Sequence, residues 1–225
     1  MTFSIIGRCA ETGQLGIAIS SSSIAVGARC PWVRSNVGAV ATQNVTLPAL
    51  GPRILDQLEH ARMLPADALS FALASSEWHE YRQVMCIDAQ GRTASFSGAE
   101  TLGIHQVREG VQCIAGGNML ARTEVIDAMI PAFENANGLL PDRLLRALHA
   151  GMEKGGEAGP VHSAALTVQG ALCWPLVDLR VDWADDDPVG RLASLWTVYK
   201  PQMQDYMTRA LNPTAAPSYG VPGNE

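Results

Sequence analysis

The chain has 225 residues, 47% hydrophobic and 17% charged, which is enough apolar material for a large core. Its formal net charge of -6 argues against nucleic acid or an anionic membrane as partner, since both need clustered Lys and Arg. No stretch approaches the roughly 20 apolar residues of a membrane span, and the first residues lack a basic region followed by an apolar one, so a cytoplasmic protein is expected.

In chain order, residues 3–8 read as a strand and residues 15–23 as a second one rich in small side chains. Glu11-Thr12-Gly13-Gln14 between them supplies a hairpin turn, with Gly13 suited to positive φ. Residues 37–43 read as another buried strand. Pro48 to Arg62 carries Leu50, Ile54, Leu55 and Leu58 on one helical face, and Pro65 opens a second helix through Ala74. Strands return at 82–87 and 92–97 around Asp88-Ala89-Gln90-Gly91, with shorter ones near 103–107 and 111–115.

After Gly116-Gly117-Asn118, a helix with Val125, Ile126, Met129 and Phe133 on one face is expected. A second follows with Leu140, Leu144, Leu145 and Leu148, and Pro141 in its first turn. Strands at 162–168, 171–174 and 176–181 and a helix from Pro188 to about Ala210 complete the pattern. No Pro/Gly/Ser-rich linker interrupts residues 1–211, which read as one domain, and residues 212–225 read as a mobile tail. The order is strands, two helices, strands, two helices, strands. It predicts an α+β fold in which two mainly antiparallel sheets stack between helix pairs, a four-layer αββα sandwich.

The five cysteines are odd in number and show no C-x-x-C spacing, so a reduced protein without a zinc framework is expected. No histidines share metal-ligand spacing, and Asp185-Asp186-Asp187 lacks the glycine and terminal Glu of a calcium loop, so the expectation is no metal and no cofactor.

Thr2 is the residue with the sharpest chemical reading. Removal of Met1, which a small second residue permits, would leave a Thr with a free α-amine. The reference pKa of such an amine is about 7.7–8.0, so it can take the hydroxyl proton near neutrality. Nucleophile and base then share one residue. A Met-Thr start without chemical consequence is the plain alternative.

Other candidates follow from residue type and position. Asn118 offers an amide to an oxyanion, or else caps a helix. Ser21, within Ser20-Ser21-Ser22-Ser23 beside Thr2, is a candidate to orient the amine, and Ser163 lies next to His162 at the start of a core strand. Thr42 and Gln43 end the third strand. Asp178 and Arg180 alternate with Val177 and Leu179 and share a strand face with Asp182, which suits either an ion-pair network or a substrate carboxylate. Arg34 and Arg82 have similar claims to an anionic group.

Read together, Thr2-Phe3-Ser4-Ile5, Val26-Gly27 with Pro31-Trp32, Gly38-Ala39-Val40-Ala41-Thr42-Gln43, Tyr81-Arg82-Gln83, Asp88 with Gly91, Gly117-Asn118-Met119-Leu120, His162-Ser163-Ala164-Ala165-Leu166 and Val177-Asp178-Leu179-Arg180-Val181-Asp182 resemble a bacterial family of unknown function. That family looks like the N-terminal-nucleophile hydrolases. The resemblance implies the αββα fold and Thr2 as the matured first residue. The chain departs from the proteasome-type branch, in which a core Lys helps activate the threonine, because its only lysines are Lys154 and Lys200. The expected activity is therefore hydrolysis of a small non-peptide or ureido-type amide through an acyl-Thr2 intermediate. The alternative is a catalytically silent fold that binds a metabolite or a protein. A homodimer or larger homo-oligomer is expected, with Trp183 and Trp196 as contact aromatics.

Overall fold

An apolar strand starts at Thr2, and the chain turns back on itself at Gly13, whose φ of +71° suits a residue without Cβ. The resulting hairpin joins β1 (Thr2–Arg8) to β2 (Leu15–Ser21), with Phe3 opposite Ser20 and Arg8 opposite Leu15. In the computed structural model, which describes residues 1–223, this hairpin forms the centre of a six-stranded sheet. β8 (Cys113–Asn118) and β7 (Gln106–Gly110) extend it on one side. β9 (Ser163–Gln169) and β10 (Val177–Val181) extend it on the other. The second sheet has four strands in the order β3 (Pro31–Arg34), β4 (Gly38–Asn44), β5 (Arg82–Asp88) and β6 (Thr93–Ser97). Every strand pair is antiparallel.

The period of two along each strand sorts its side chains between layers. Phe3 and Ile5 of β1 pack under α3 (Glu124–Glu134) and α4 (Leu140–Glu153), against Met129, Phe133, Leu144 and Leu148. Ile6 points the other way, into a second core of Ile17, Ile19, Ala41, Met85, Ile87 and Ile114 between the sheets. A third core joins Val40 and Val84 to Leu50, Ile54 and Leu69 of α1 (Leu50–Glu59) and α2 (Pro65–Ala74). Three apolar layers between four layers of structure make the αββα sandwich that the element order predicts.

Close approach explains some of the small residues. A Cβ on Gly116 of β8 would come within 2.6 Å of Met85 Sδ in the facing sheet. One on Gly51 of α1 would reach 2.2 Å from the Trp32 ring.

Several elements differ from expectation. β3 was not anticipated, and residues 171–174 form turns rather than a strand. The last helix is broken into α5 (Pro188–Tyr199) and α6 (Met203–Leu211) by a 3-10 turn over Lys200–Gln202, where Pro201 has no N–H to give the helical ladder. Trp196 is only 4% exposed and donates its indole N–H to Asp142 at 2.7 Å, so it closes the core edge and has no face left for a partner. Trp183 is 51% exposed and stacks on His162 with ring centroids 4.3 Å apart. Of the tail, residues 212–223 include a turn at Pro213–Ala215, and Arg209 lies 3.9 Å over the Tyr219 ring. The end of the predicted tail, residues 224–225, lies outside the described residues.

Among the described residues no helix is long and apolar enough to cross a membrane, and no group of three or more His, Cys, Asp or Glu comes together as a metal site. All five cysteines are free thiols.

Candidate active site

Thr2 pairs across the sheet with Asn118, and side chains of directly opposed residues share a face. That face is the one Ser4 and Ile6 present to the second sheet, so Thr2 lies at the open end of the space between the sheets. It is 5% exposed, and Asn118 is fully buried. Ser21, near the end of β2, brings its Oγ to 3.3 Å from Thr2 Oγ1. Both hydroxyls donate to the Met1 carbonyl, each at 2.5 Å, and Ser21 Oγ accepts the Ser23 N–H at 3.0 Å.

Behind Thr2 a ladder of buried side chains connects the sheets. Ser4 donates to Gln43 Oε1 at 2.9 Å, and Gln43 Nε2 donates to Gln83 Oε1 at 2.8 Å and to the Gly116 carbonyl at 3.2 Å. Gln83 Nε2 donates to Ser97 Oγ and to the Gly117 carbonyl, both at 3.1 Å. The carbonyl partner fixes the Gln83 amide, because only its nitrogen can face that oxygen. Asn118 Nδ2 then donates to Gln83 Oε1 at 3.1 Å, and a flipped Asn118 would set two oxygens against each other. Asn118 therefore presents Oδ1, which has no partner among the described residues, and one N–H not used by Gln83.

The buried carboxyl of Glu157, 3% exposed, sits at the same end of the sheet. It accepts the Ser22 N–H at 3.1 Å, and its backbone bridges Leu120, two residues beyond Asn118. Burial pushes its pKa up to about 7, with the positive chain terminus and the Ser22 N–H pulling the other way. Glu157 was not among the sequence candidates. Its one signal is a charged residue within Gly155-Gly156-Glu157-Ala158-Gly159, where Gly155 and Gly156 have φ of +111° and +58°.

Thr2 opens onto a cavity of about 240 Å³, lined also by Ser21, Ser23, Arg29, Asn44 and Thr46. Cys30 shares this lining, but burial raises its thiol pKa and keeps it protonated, which disfavours a nucleophilic role.

The structure thus brings Thr2, Ser21 and Asn118 together, with Gln43 one hydrogen bond behind. Ser163 faces the same end, directly opposite Ser21, but spends its hydroxyl on the loop that rims the cavity: it donates to the Ser23 carbonyl at 2.6 Å and accepts the Val26 N–H at 3.2 Å.

The remaining candidates lie apart. Thr42 points to the opposite face of β4 from Gln43 and donates to the Leu47 carbonyl at 3.3 Å. Arg34 stands at the far end of β3 and is held by Asp56 and Glu59 at 2.9 and 2.7 Å. Arg82 donates to the Val45 carbonyl and braces the 44–47 loop from outside. Arg180 packs its stem where a Cβ on Gly27 would be and faces Asp182 at 3.6 Å, an ion-pair arrangement outside the cavity lining. Asp178 lies exposed on the same edge strand. Asn118 ends β8 well before α3 begins, so it does not cap that helix.

The sequence matches a family of unknown function, DUF1028, over residues 2–192. A crystal structure of protein SPO2555 from Silicibacter pomeroyi, described under the same family, is similar over 91% of this chain and 89% of that one, with 32% identity and a TM-score of 0.84. Anbu (ancestral beta-subunit) from Yersinia bercovieri aligns over 90% of this chain and 96% of its own at 9% identity and a TM-score of 0.45. An Anbu Gly-1 mutant from Hyphomicrobium sp. strain MC1 aligns over the same shares at 11% identity and 0.44. No curated protein matches the chain.

Proposed function

The chain belongs to the DUF1028 family of unknown function, and we propose that it is an N-terminal-nucleophile amidohydrolase that cleaves a small non-peptide or ureido-type amide. The observation that carries this reading is the placement of Thr2: a nearly buried hydroxyl opposite Asn118, at the floor of a small polar cavity. A threonine at a strand start needs no such surroundings for structural reasons alone.

In the proposed reaction Met1 has been removed. That frees the Thr2 and Ser21 hydroxyls from the carbonyl they now share, and turns the Thr2 amide into an α-amine. Thr2 Oγ1 attacks the substrate carbonyl while the amine takes the hydroxyl proton and passes it to the leaving nitrogen. The N–H of Asn118 not used by Gln83 is the candidate donor to the oxyanion, and its unpartnered Oδ1 is an acceptor for the α-amine. Water then attacks the acyl-Thr2 ester and gives a proton to the amine, which passes it to the departing Thr2 Oγ1, so that the acid is released and the free hydroxyl and amine are restored. No step requires a cofactor.

A binding module without catalysis is the second reading. In it the polar cavity holds a small metabolite and the Thr2 and Ser21 hydroxyls serve as hydrogen-bonding groups.

Intact-mass spectrometry of active protein separates the two, with loss of one Met expected. Thr2→Ala should lower amide turnover about a thousandfold or more with the fold intact, and Thr2→Ser should retain a measurable part. Active protein that keeps Met1, or equal rates in wild type and Thr2→Ala, would move the chemistry elsewhere.

A further inference from the structure

We propose that the substrate of the Thr2 cavity carries a carboxylate, and that Arg29 is the side chain that binds it. This identification of the substrate class rests on the reading of Thr2 as the reacting residue, but its test is independent of that reading.

Two observations converge on Arg29. It is the one formally charged side chain in the cavity lining, which otherwise offers hydroxyls and an amide from Ser21, Ser23, Asn44 and Thr46. Its guanidinium is anchored through a single nitrogen, Nη1, which donates to the Ile24 carbonyl at 2.7 Å and the Ala25 carbonyl at 3.3 Å. That leaves the Nε–Nη2 edge, a complete fork of two parallel N–H donors, whose geometry matches a carboxylate bidentately.

Arg29 is half-buried. The 23–29 loop holds it in place: Ala25 N–H bonds the Asp182 carbonyl at 2.9 Å, Val26 N–H bonds Ser163, and the Arg29 carbonyl accepts the Trp32 indole at 3.2 Å. The cation is therefore presented on a fixed loop. The cavity is about 240 Å³ with Met1 in its lining and widens when Met1 leaves, so it takes a small substrate that carries both a carboxylate and an amide. Monoamides of short dicarboxylic acids and N-acyl or N-carbamoyl amino acids have this chemistry.

The test uses the full chain. Malonate, succinate and glutarate are titrated by ligand-observed NMR against Thr2→Ala protein, each beside its neutral diamide, and the series is repeated in Thr2→Ala/Arg29→Met and Thr2→Ala/Arg29→Lys. At least one diacid should bind about tenfold or more tighter than its diamide. Arg29→Met should erase that preference, and Arg29→Lys should restore part of it. If the Arg29 variants do not fold, the diacid-to-diamide ratio in Thr2→Ala alone decides. Equal binding of diacid and diamide, no binding of any diacid up to about 10 mM, or a preference that survives Arg29→Met each overturns the inference, whatever Thr2 does. Loss of the preference in Arg29→Met together with unchanged turnover in the Thr2→Ala single variant would leave Arg29 as assigned and remove Thr2 as nucleophile.

Discussion

Glu157 lies in a protein of acidic composition, yet it is buried at the chain terminus with no arginine or lysine beside it, and its carboxyl titrates near about 7. Its ordinary value is 4.5, so the folded form holds a proton that the unfolded chain releases. The stabilisation is complete below about 4.5, shrinks as pH rises, and is gone above about 7. The difference amounts to on the order of 3 kcal/mol. Glu157→Gln keeps an acceptor for the Ser22 N–H without the charge. Thermal midpoints followed from pH 5 to pH 8 should therefore show the variant gaining on wild type as pH rises, and parallel curves would mean that water solvates the carboxyl. Thr2, Ser21 and Asn118 were legible because hairpin register and glycine context place them near the terminus. Glu157 and Arg29 were not, because each reaches the site from a loop whose position depends on tertiary packing. Three arginines were credited with anion binding, and the structure gives Arg34 and Arg180 carboxylate neighbours and Arg82 a carbonyl.

At the scale of elements, the rim of the cavity depends on one hydroxyl. Ser163, fully buried at the start of β9, ties the Ser23 carbonyl and the Val26 N–H to the central sheet. Ser163→Ala leaves the Val26 N–H unpaired in a buried place, which costs about 1–3 kcal/mol, while the Ser23 carbonyl belongs to an exposed residue. Urea unfolding at 25 °C should show a loss of about 1–3 kcal/mol, with weaker ligand binding because the loop carrying Arg29 is loosened. A loss under about 0.5 kcal/mol would show that water replaces the hydroxyl without consequence. Most strands were readable as short runs of apolar and small residues bounded by turns, and both helix pairs from their one-sided apolar faces. β3 was hidden because Pro-Trp-Val-Arg has no alternating pattern, and all four residues are half-buried at a sheet edge. Residues 171–174 carry apolar side chains but serve as the turn between β9 and β10, a case of tertiary context overriding composition.

For the whole molecule, the order of strands and helices was enough to predict two stacked sheets, because the sandwich buries both sheets and the apolar faces of the two helix pairs. The family match over residues 2–192 spans both sheets and both helix pairs. Assembly is a separate matter, decided by the faces left uncovered. α5 exposes Leu195 at 41% and Val198 at 65%, and α6 exposes Tyr206 at 43% and Leu211 at 59% while burying no residue. This apolar surface lies on the α5–α6 side, with Trp183 half-exposed just before α5, and a symmetric pairing of two copies is the arrangement we expect to cover it. Light scattering at micromolar concentration should then give about twice the chain's 24.0 kDa, and Val198→Glu should shift the mass toward one chain. The residues proposed for catalysis and binding, Thr2, Ser21, Arg29, Asn118 and Glu157, all come from one chain and none from these helices. Turnover per chain should therefore stay constant, within about twofold, when Val198→Glu or dilution separates the copies. A steep fall of turnover with dissociation, in protein that remains folded by circular dichroism, would place part of the active site on the second copy.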